Sequence, residues 1–569
     1  MSKRPFLFAL ALPVILAVAC SRAPAPTAET PAANPESPLG RDNVRVVIPE
    51  DKQAAMCEPG KEHWRIQASP IRGGIVHGSQ SAPDLDVIKG TANGLRPMRL
   101  VYESLLRMRF CFGEDLGVLP GLAKSWNVSP DGLTWTLNLR DGVKWHDKPP
   151  VNGRAFTSAD VAWNIDFQLK GGALKPFWEG ITHQEPNLST IVIKMAEPHP
   201  DFLTQLAYRT NVMAPHEVVD QNLDFKQVAI GTGPLVVQEF KPGVSMTLAR
   251  RTDYYDVGAD GKPLPYIDGL QETGLADRVA ITTALRTGQL EYGSVDTAQE
   301  LQEFQKTQRD RWRFSTPVGT LIRSVWFNPT KKPWDDVRLR RAVSLAIARD
   351  DVIQAARGGS AVPSGFMPVG FPAAWSFETL KTKFKQDVEG ARKLVADAGY
   401  KPGELPAPIV TTQDYSQEAE VITENLKAIG MNANVDVRET GAGGASTTVI
   451  LARGDFSLLY GPTPTAFFPD FYMHTILHGS SPQDYIRLKD PEIDRLAQAA
   501  HIENDPAKRK VALEQLQEKL RDVAAYAPVL NPINLQLESC KLQNFKPWSN
   551  NSFLLEGLRE GWLDPNGKC

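Results

Sequence analysis

Few side chains in this 569-residue sequence are spaced for covalent chemistry. It holds no G-x-S-x-G turn, no H-E-x-x-H helix, no G-x-x-x-x-G-K-[ST] loop and no EF-hand loop. Gly231-Thr-Gly-Pro234 forms a tight turn, but no G-K-[ST] follows it to cradle a phosphate. His474 and His478 are four apart, a spacing that can put two imidazoles on one helix face and hold a metal. No acidic or Cys ligand sits directly beside them, so they read as surface histidines and no metal is expected. Asp and Glu are numerous enough for a hydrolytic carboxylate pair, but spacing does not say which of them meet. With 12 Trp and 12 Tyr there are enough flat side chains to line a cleft. No catalytic residue and no cofactor are therefore expected.

The elements that would position such a cleft are of mixed type. Leu133, Trp135, Leu137 and Leu139 alternate with polar residues, the period of a half-buried strand. Pro130-Asp131-Gly132 turns before it and Asp141-Gly142 after it; Val143 and Trp145 resume the alternation, which predicts a hairpin. Trp126, Trp135 and Trp145 fall on strand periodicity and are expected in the core. Thr157, three residues before Asp160, starts a helix continued by Val161, Ile165 and Leu169. From Val325 onward strands and helices alternate. Leu339, Val343, Ile347 and Ile353 predict one amphipathic helix. Helices are also expected after Asp387, from Val421 to Gly430 and after Asp505-Pro506, and strands at Ile409–Thr412, Val435–Val437 and Asp455–Tyr460.

The order L-A-x-S-W (Leu122–Trp126), S-x-D-G-x-x-W-T-x-x-L-R-x-G-V-K-W-H-D (Ser129–Asp147) and T-x-x-D-V (Thr157–Val161) resembles the signature of family 5 solute-binding proteins. These are the peptide- and nickel-type extracytoplasmic receptors of ABC importers. Lys148–Arg154 departs from the family by lengthening a loop before the helix. The resemblance runs from about Gly73 to the C-terminus. It implies an α/β, two-lobed periplasmic-binding-protein-like fold (type II, large three-part variant) with a hinge between lobes. Residues 60–102, 213–320 and 534–569 would form a discontinuous first domain, 103–212 an inserted second domain, and 321–533 the other lobe. The implied function is capture of peptides or a peptide-like solute by hinge closure and delivery to a permease. Other solutes (a nickel chelate, haem, an oligosaccharide) are the alternative, and an exported hydrolase the next.

The same resemblance places a ligand-facing loop at Gly90, Thr91, Ala92 and Asn93. It puts Trp326, Glu439, Tyr460, Gly461, Thr463 and Thr465 around the cleft. Peptide-binding relatives resemble G-W-x-A-D-Y-x-x-P where this chain reads Gly461-Pro-Thr-Pro-Thr465-Ala-Phe-Phe-Pro469. Their Asp, which pairs with the peptide α-ammonium, falls on Thr465. A hydroxyl does not neutralise a buried ammonium, so the usual anchor for a free N-terminus is missing from that position, and Asp470, five residues on, would substitute for it only with a loop shift.

Lys3 and Arg4 precede an apolar run from Phe6 to Val18 that is short for a bilayer span, and Ala17-Val18-Ala19-Cys20 closes it. Residues 1–19 read as a signal peptide. Cys20 is expected to carry lipid, although Ala17-x-Ala19 also fits ordinary signal cleavage. Residues 20–59 then read as a flexible, lipid-anchored spacer, since 21–40 are rich in Pro, Ala, Ser and Thr. The expected place is the periplasm or cell surface, and the expected partners are a solute, an ABC permease and the membrane through its lipid, with the chain a monomer. Formal net charge is −3 with Lys and Arg scattered, so nucleic acid is not a partner. Cys57, Cys111, Cys540 and Cys569 allow three disulfide pairings, of which Cys540–Cys569 is favoured by location. Thr465→Asp should make the protein prefer free peptides over N-acetylated ones; equal affinities for both in that variant, measured by calorimetry, would refute the role given to this position.

Overall fold

The computed structural model describes residues 69–569 except 80–84, 87–94, 109–117, 173, 209–210, 276, 370, 372, 440–446, 464–468, 470–472, 474–475, 482–483 and 546–550. The signal peptide, Cys20, the spacer, Gly90–Asn93, Thr465, His474, Cys57 and Cys111 lie outside the described residues. Four sheets carry the fold. The first orders strands Ile75–Ser79, Gly269–Thr273, Ser245–Arg250 and Leu235–Lys241, with the first pair parallel. The second is antiparallel and orders Ala123–Val128, Thr134–Leu139, Thr190–Met195 and Ile181–Asn187. The third sets Leu535–Ser539 between Tyr292–Val295 and Trp312–Ser315. The fourth has six strands, in the order Ala361–Pro363, Tyr526–Pro532, Arg323–Phe327, Leu458–Pro462, Leu405–Thr412 and Met431–Arg438.

Local sequence explains most of these elements. The turn at 129–132 joins 123–128 to 134–139, held where Asp131 accepts from Leu133 N at 3.0 Å. The hairpin is therefore made by the first turn and not the second. Val143 and Trp145 are fully buried, but as loop: Trp145 N bonds Arg154 O at 3.0 Å, and the sequence beyond Gly142 folds under the sheet. Trp126 and Trp135 are partly buried against the same core. Thr157 and Asp160 form the expected capping box for helix Ser158–Leu169. Asp387, Asp490 and Asp505 cap helices Val388–Asp397, Pro491–Ile502 and Pro506–Asp522 through side-chain bonds to backbone N–H groups.

The single helix expected over 339–353 is two, Val337–Ala346 and Arg349–Arg357. Ile347 is extended, and Ala348 N bonds the Asn425 side chain at 2.9 Å. Arg349 then turns inward to donate to Pro528 O, so apolar periodicity survives a break made by polar tertiary contacts. Cys540 and Cys569 are disulfide-bonded, fastening the C-terminus beside the return strand of the third sheet.

Two connectors join the third sheet to the six-stranded one, after Ser315 and after Pro532. They run side by side: Gly319 N bonds Pro532 O at 2.7 Å, Asn534 N bonds Pro317 O at 2.9 Å, and the Asn531 amide donates to Leu321 O at 3.0 Å. A second junction lies between the 123–195 sheet and helices 491–502 and 506–522. There Arg509 grips Asp201 with two bonds of 2.8 and 2.6 Å, Gln498 donates to Glu197 at 2.8 Å, and the apolar core is continuous from Phe202 to Leu496.

Beside the connectors, Glu538 is buried on the return strand opposite Arg313, and Ser315 Oγ donates to it at 2.8 Å. Burial pushes its carboxyl up to about 7, against the pull of Arg313. The folded state thus keeps a proton that the unfolded chain releases near 4.5, and the associated stability is lost as pH rises through 7. Glu538→Gln should match the wild type at pH 4 and exceed it by roughly 3 kcal/mol at pH 8. Urea unfolding at both pH values checks this, and a difference independent of pH would refute it.

Candidate functional site

In open α/β sheets ligands bind beyond the carboxyl ends of parallel strands. In the six-stranded sheet these are the ends of 405–412 and 431–438, which run parallel to each other and to 458–462. Thr411 Oγ1 ties the first of them to the neighbouring strand by donating to Tyr460 O at 2.9 Å. The chain then makes a short 3-10 turn, Gln413–Tyr415, and enters helix Ser416–Ala428. The connector between the sheets delivers Arg323, first residue of its strand, to the same place.

A buried charge cluster forms there. Arg323 pairs with Glu418 from the first turn of the helix, and its guanidinium lies 4.7 Å from the centre of the Tyr415 ring. Arg357 stands 3.7 Å from the same carboxylate. It ends helix 349–357, and Gly358 and Gly359, both at positive φ, turn the chain away immediately after it. Burial opposes the charge on Arg323, yet Glu418 holds its pKa above the ordinary value. Burial, then repulsion from Arg323, lowers that of Arg357. Burial, then Glu418, pushes the Tyr460 phenol well up, so it stays neutral. From the other side of the connectors, Asp296 acts electrostatically on Arg357 while ion-paired with Arg278. Charged side chains on both sides of the connectors thus act on one another at these strand ends.

Trp326 and Tyr460, expected to offer faces to a solute, are instead wholly buried. Trp326 stacks on Tyr526 at 4.5 Å and meets Tyr485 edge-on at 6.5 Å, because strand alternation turns it to the sheet face opposite Arg323. Tyr460 lies on the Arg323 face, in the core beneath the cluster. Gly461 packs against helix 447–453, where a Cβ would come within 2.8 Å of Thr447. Thr463 is buried, and its hydroxyl and N–H both donate to Ile322 O, at 3.0 and 2.7 Å. Glu439 is exposed just past the 431–438 strand. Sequence reading missed Arg323, Arg357, Tyr415 and Glu418, which come from three separate stretches of the chain. The one available signal was a charged residue opening the apolar strand Ser324–Phe327. Among the described residues no group of His, Cys, Asp and Glu is arranged to hold a metal, and no helix is long and apolar enough to cross a membrane.

Residues 117–484 match the family model described as bacterial extracellular solute-binding proteins, family 5 Middle. The glutathione-binding protein GsiB of Pectobacterium atrosepticum is 24% identical over 394 residues, 67% of this chain and 74% of that one. Among solved structures, the periplasmic binding protein DppA from Helicobacter pylori, in complex with peptide STSA, has a TM-score of 0.75 at 22% identity, covering 87% of this chain and 98% of that one. NikZ from Campylobacter jejuni, in complex with Ni(L-His), has a TM-score of 0.71 at 19% identity, covering 87% and 100%. These structures share the fold with this chain.

The burial of Trp326 separates packing from recognition. Trp326→Ala should cost about 3–5 kcal/mol of stability through the cavity it leaves. Chemical denaturation measures this; a variant as stable as the wild type would show that the indole is not part of the core.

Proposed function

The chain belongs to family 5 of the bacterial extracellular solute-binding proteins, and on that premise we propose that it is the receptor of an ABC importer that captures a peptide or peptide-like solute between two lobes. One lobe takes residues 60–102, 213–320 and 534–569, with 103–212 inserted in it; the other takes 321–533. The observation that carries the reading is the pair of adjacent connectors between the sheets, with a charge cluster at the strand ends beside them. Side-by-side connectors bend together, so one lobe rotates on the other without tearing either sheet. A solute that touches both lobes only when they are closed shifts the equilibrium by its differential affinity. The site binds and releases its solute unchanged. Family members work outside the cytoplasm, and lipid on Cys20 with the 20–59 spacer would hold this domain at the membrane beside its permease.

Such a receptor saturates without turnover. A solute present at 100 times its dissociation constant should stabilise the protein by about 2.7 kcal/mol. Thermal melts against peptides, nickel chelates, haem and oligosaccharides should therefore single out one class. A panel in which no melt moves, or in which any member is hydrolysed, would overturn the reading.

A further inference from the structure

We propose that a pocket between the 146–154 loop and the outer edge of the first sheet binds a small organic monocarboxylate, its anionic end on the Lys148 ammonium. The pocket is separate from the proposed solute site. Its walls come from residues 85, 148–149, 227–230, 237, 238 and 240, and none from the third or six-stranded sheet. Its volume is about 320 Å³, at the small end of ligand pockets, which run from roughly 300 to 1,000 Å³. Leu85, Ile230 and Val237 are buried in its walls and Phe240 half-buried, while Gln238 is exposed beside them.

The loop is docked before the lysine is reached. His146 N bonds Gly231 O at 2.8 Å, and its Nε2 lies 3.0 Å from Gly233 O. Lys148 then opens the stretch by which this chain departs from the family signature. Strand Leu235–Lys241 is the outer strand of its sheet, and its register slips between Val237 and Glu239, so Gln238 bulges from the ladder. Beside the bulge, Lys148 Nζ donates to Val237 O. Among the described residues no carboxylate pairs with this ammonium, and burial lowers its pKa with no anion to oppose the shift. The acids nearest along the chain are engaged elsewhere: Asp147 packs toward Gly153, and Glu239 pairs with Lys241.

A half-buried ammonium with one carbonyl and no counter-charge is costly in the empty protein. A bound carboxylate offsets that cost with a charge-assisted hydrogen bond. Protection of a sheet edge would account for a bulge and a lysine, but it needs no cavity and is served by a lysine in water. The occupant's charge follows from the walls. Lys148 is the one charged residue lining the pocket, which matches a monoanion and not a phosphate dianion, and the apolar walls suit a short hydrocarbon body.

The test uses the full chain with hexanoate, benzoate, their neutral amides and inorganic phosphate. Lysines are acetylated with an activated ester and scored one by one by mass spectrometry, and affinities are measured by calorimetry. At least one of the two acids should bind saturably and slow acetylation of Lys148 while leaving the other lysines unchanged. Its amide should bind about tenfold more weakly or worse, and phosphate should give no protection. Lys148→Met should bind acid and amide alike, whereas Lys148→Arg should keep the preference for the acid. Equal binding of acid and amide to the wild type, an unchanged rate at Lys148 with both acids, or equal protection by phosphate would overturn the proposal. If Lys148→Met fails to fold, the labelling of the wild type still decides. Failure here leaves the receptor reading untouched, because the solute melts probe a different part of the molecule.

Discussion

Everything in this molecule hangs on two strands of backbone that pass between sheets together. The third and six-stranded sheets are joined where Pro317–Leu321 runs beside Asn531–Asn534, bonded backbone to backbone and through the Asn531 amide. Because the same two segments belong to strands on both sides, neither sheet is complete without the other. The connectors also set where Arg323 starts its strand and where Ile322 receives Thr463. The charge cluster therefore sits where bending of the connectors, in the proposed hinge motion, would be felt.

The charge cluster at the strand ends is a compromise between burial and charge. Apolar residues from the 323–327, 405–412 and 458–462 strands make a dense core up to its edge. At that edge the chain places three ionised groups and two phenols in contact. Pairing with Glu418 offsets the burial of Arg323, whereas Arg357 Nε and Glu418 Oε2 are buried without hydrogen-bond partners among the described residues. Such an arrangement sacrifices folding free energy locally and lets the rest of the six-stranded sheet carry it.

The fold was legible because it is written locally. Capping residues at Thr157, Asp387 and Asp505, glycines that end helices, and alternation along Thr134–Leu139 all act within a few residues and survive in the structure. Errors arose where tertiary contacts outvote local pattern. Asn425 and Pro528 break the helix at Ile347, and Val143 and Trp145 are buried as loop with strand-like alternation. The site was less legible for the same reason. Arg323, Arg357 and Glu418 meet only after three different elements converge, and charge leaves no periodic trace. Aromatic residues near strand ends were the visible candidates, yet the parity of the strand turned Trp326 to the far face.

The inserted sheet has a mechanical consequence. Arg509 holds Asp201 on the Trp326 side of the six-stranded sheet, away from the charge cluster, and an apolar seam continues beneath that pair. Any rotation that parts the crevice must either shear this seam or drag the inserted sheet along with helices 491–522. In the proposed motion the opening travel would be metered at a second bearing, as a door is by a stay fixed away from its handle. Two chains with the same crevice but a weaker stay would differ in how often they stand open, with no change in what touches the solute.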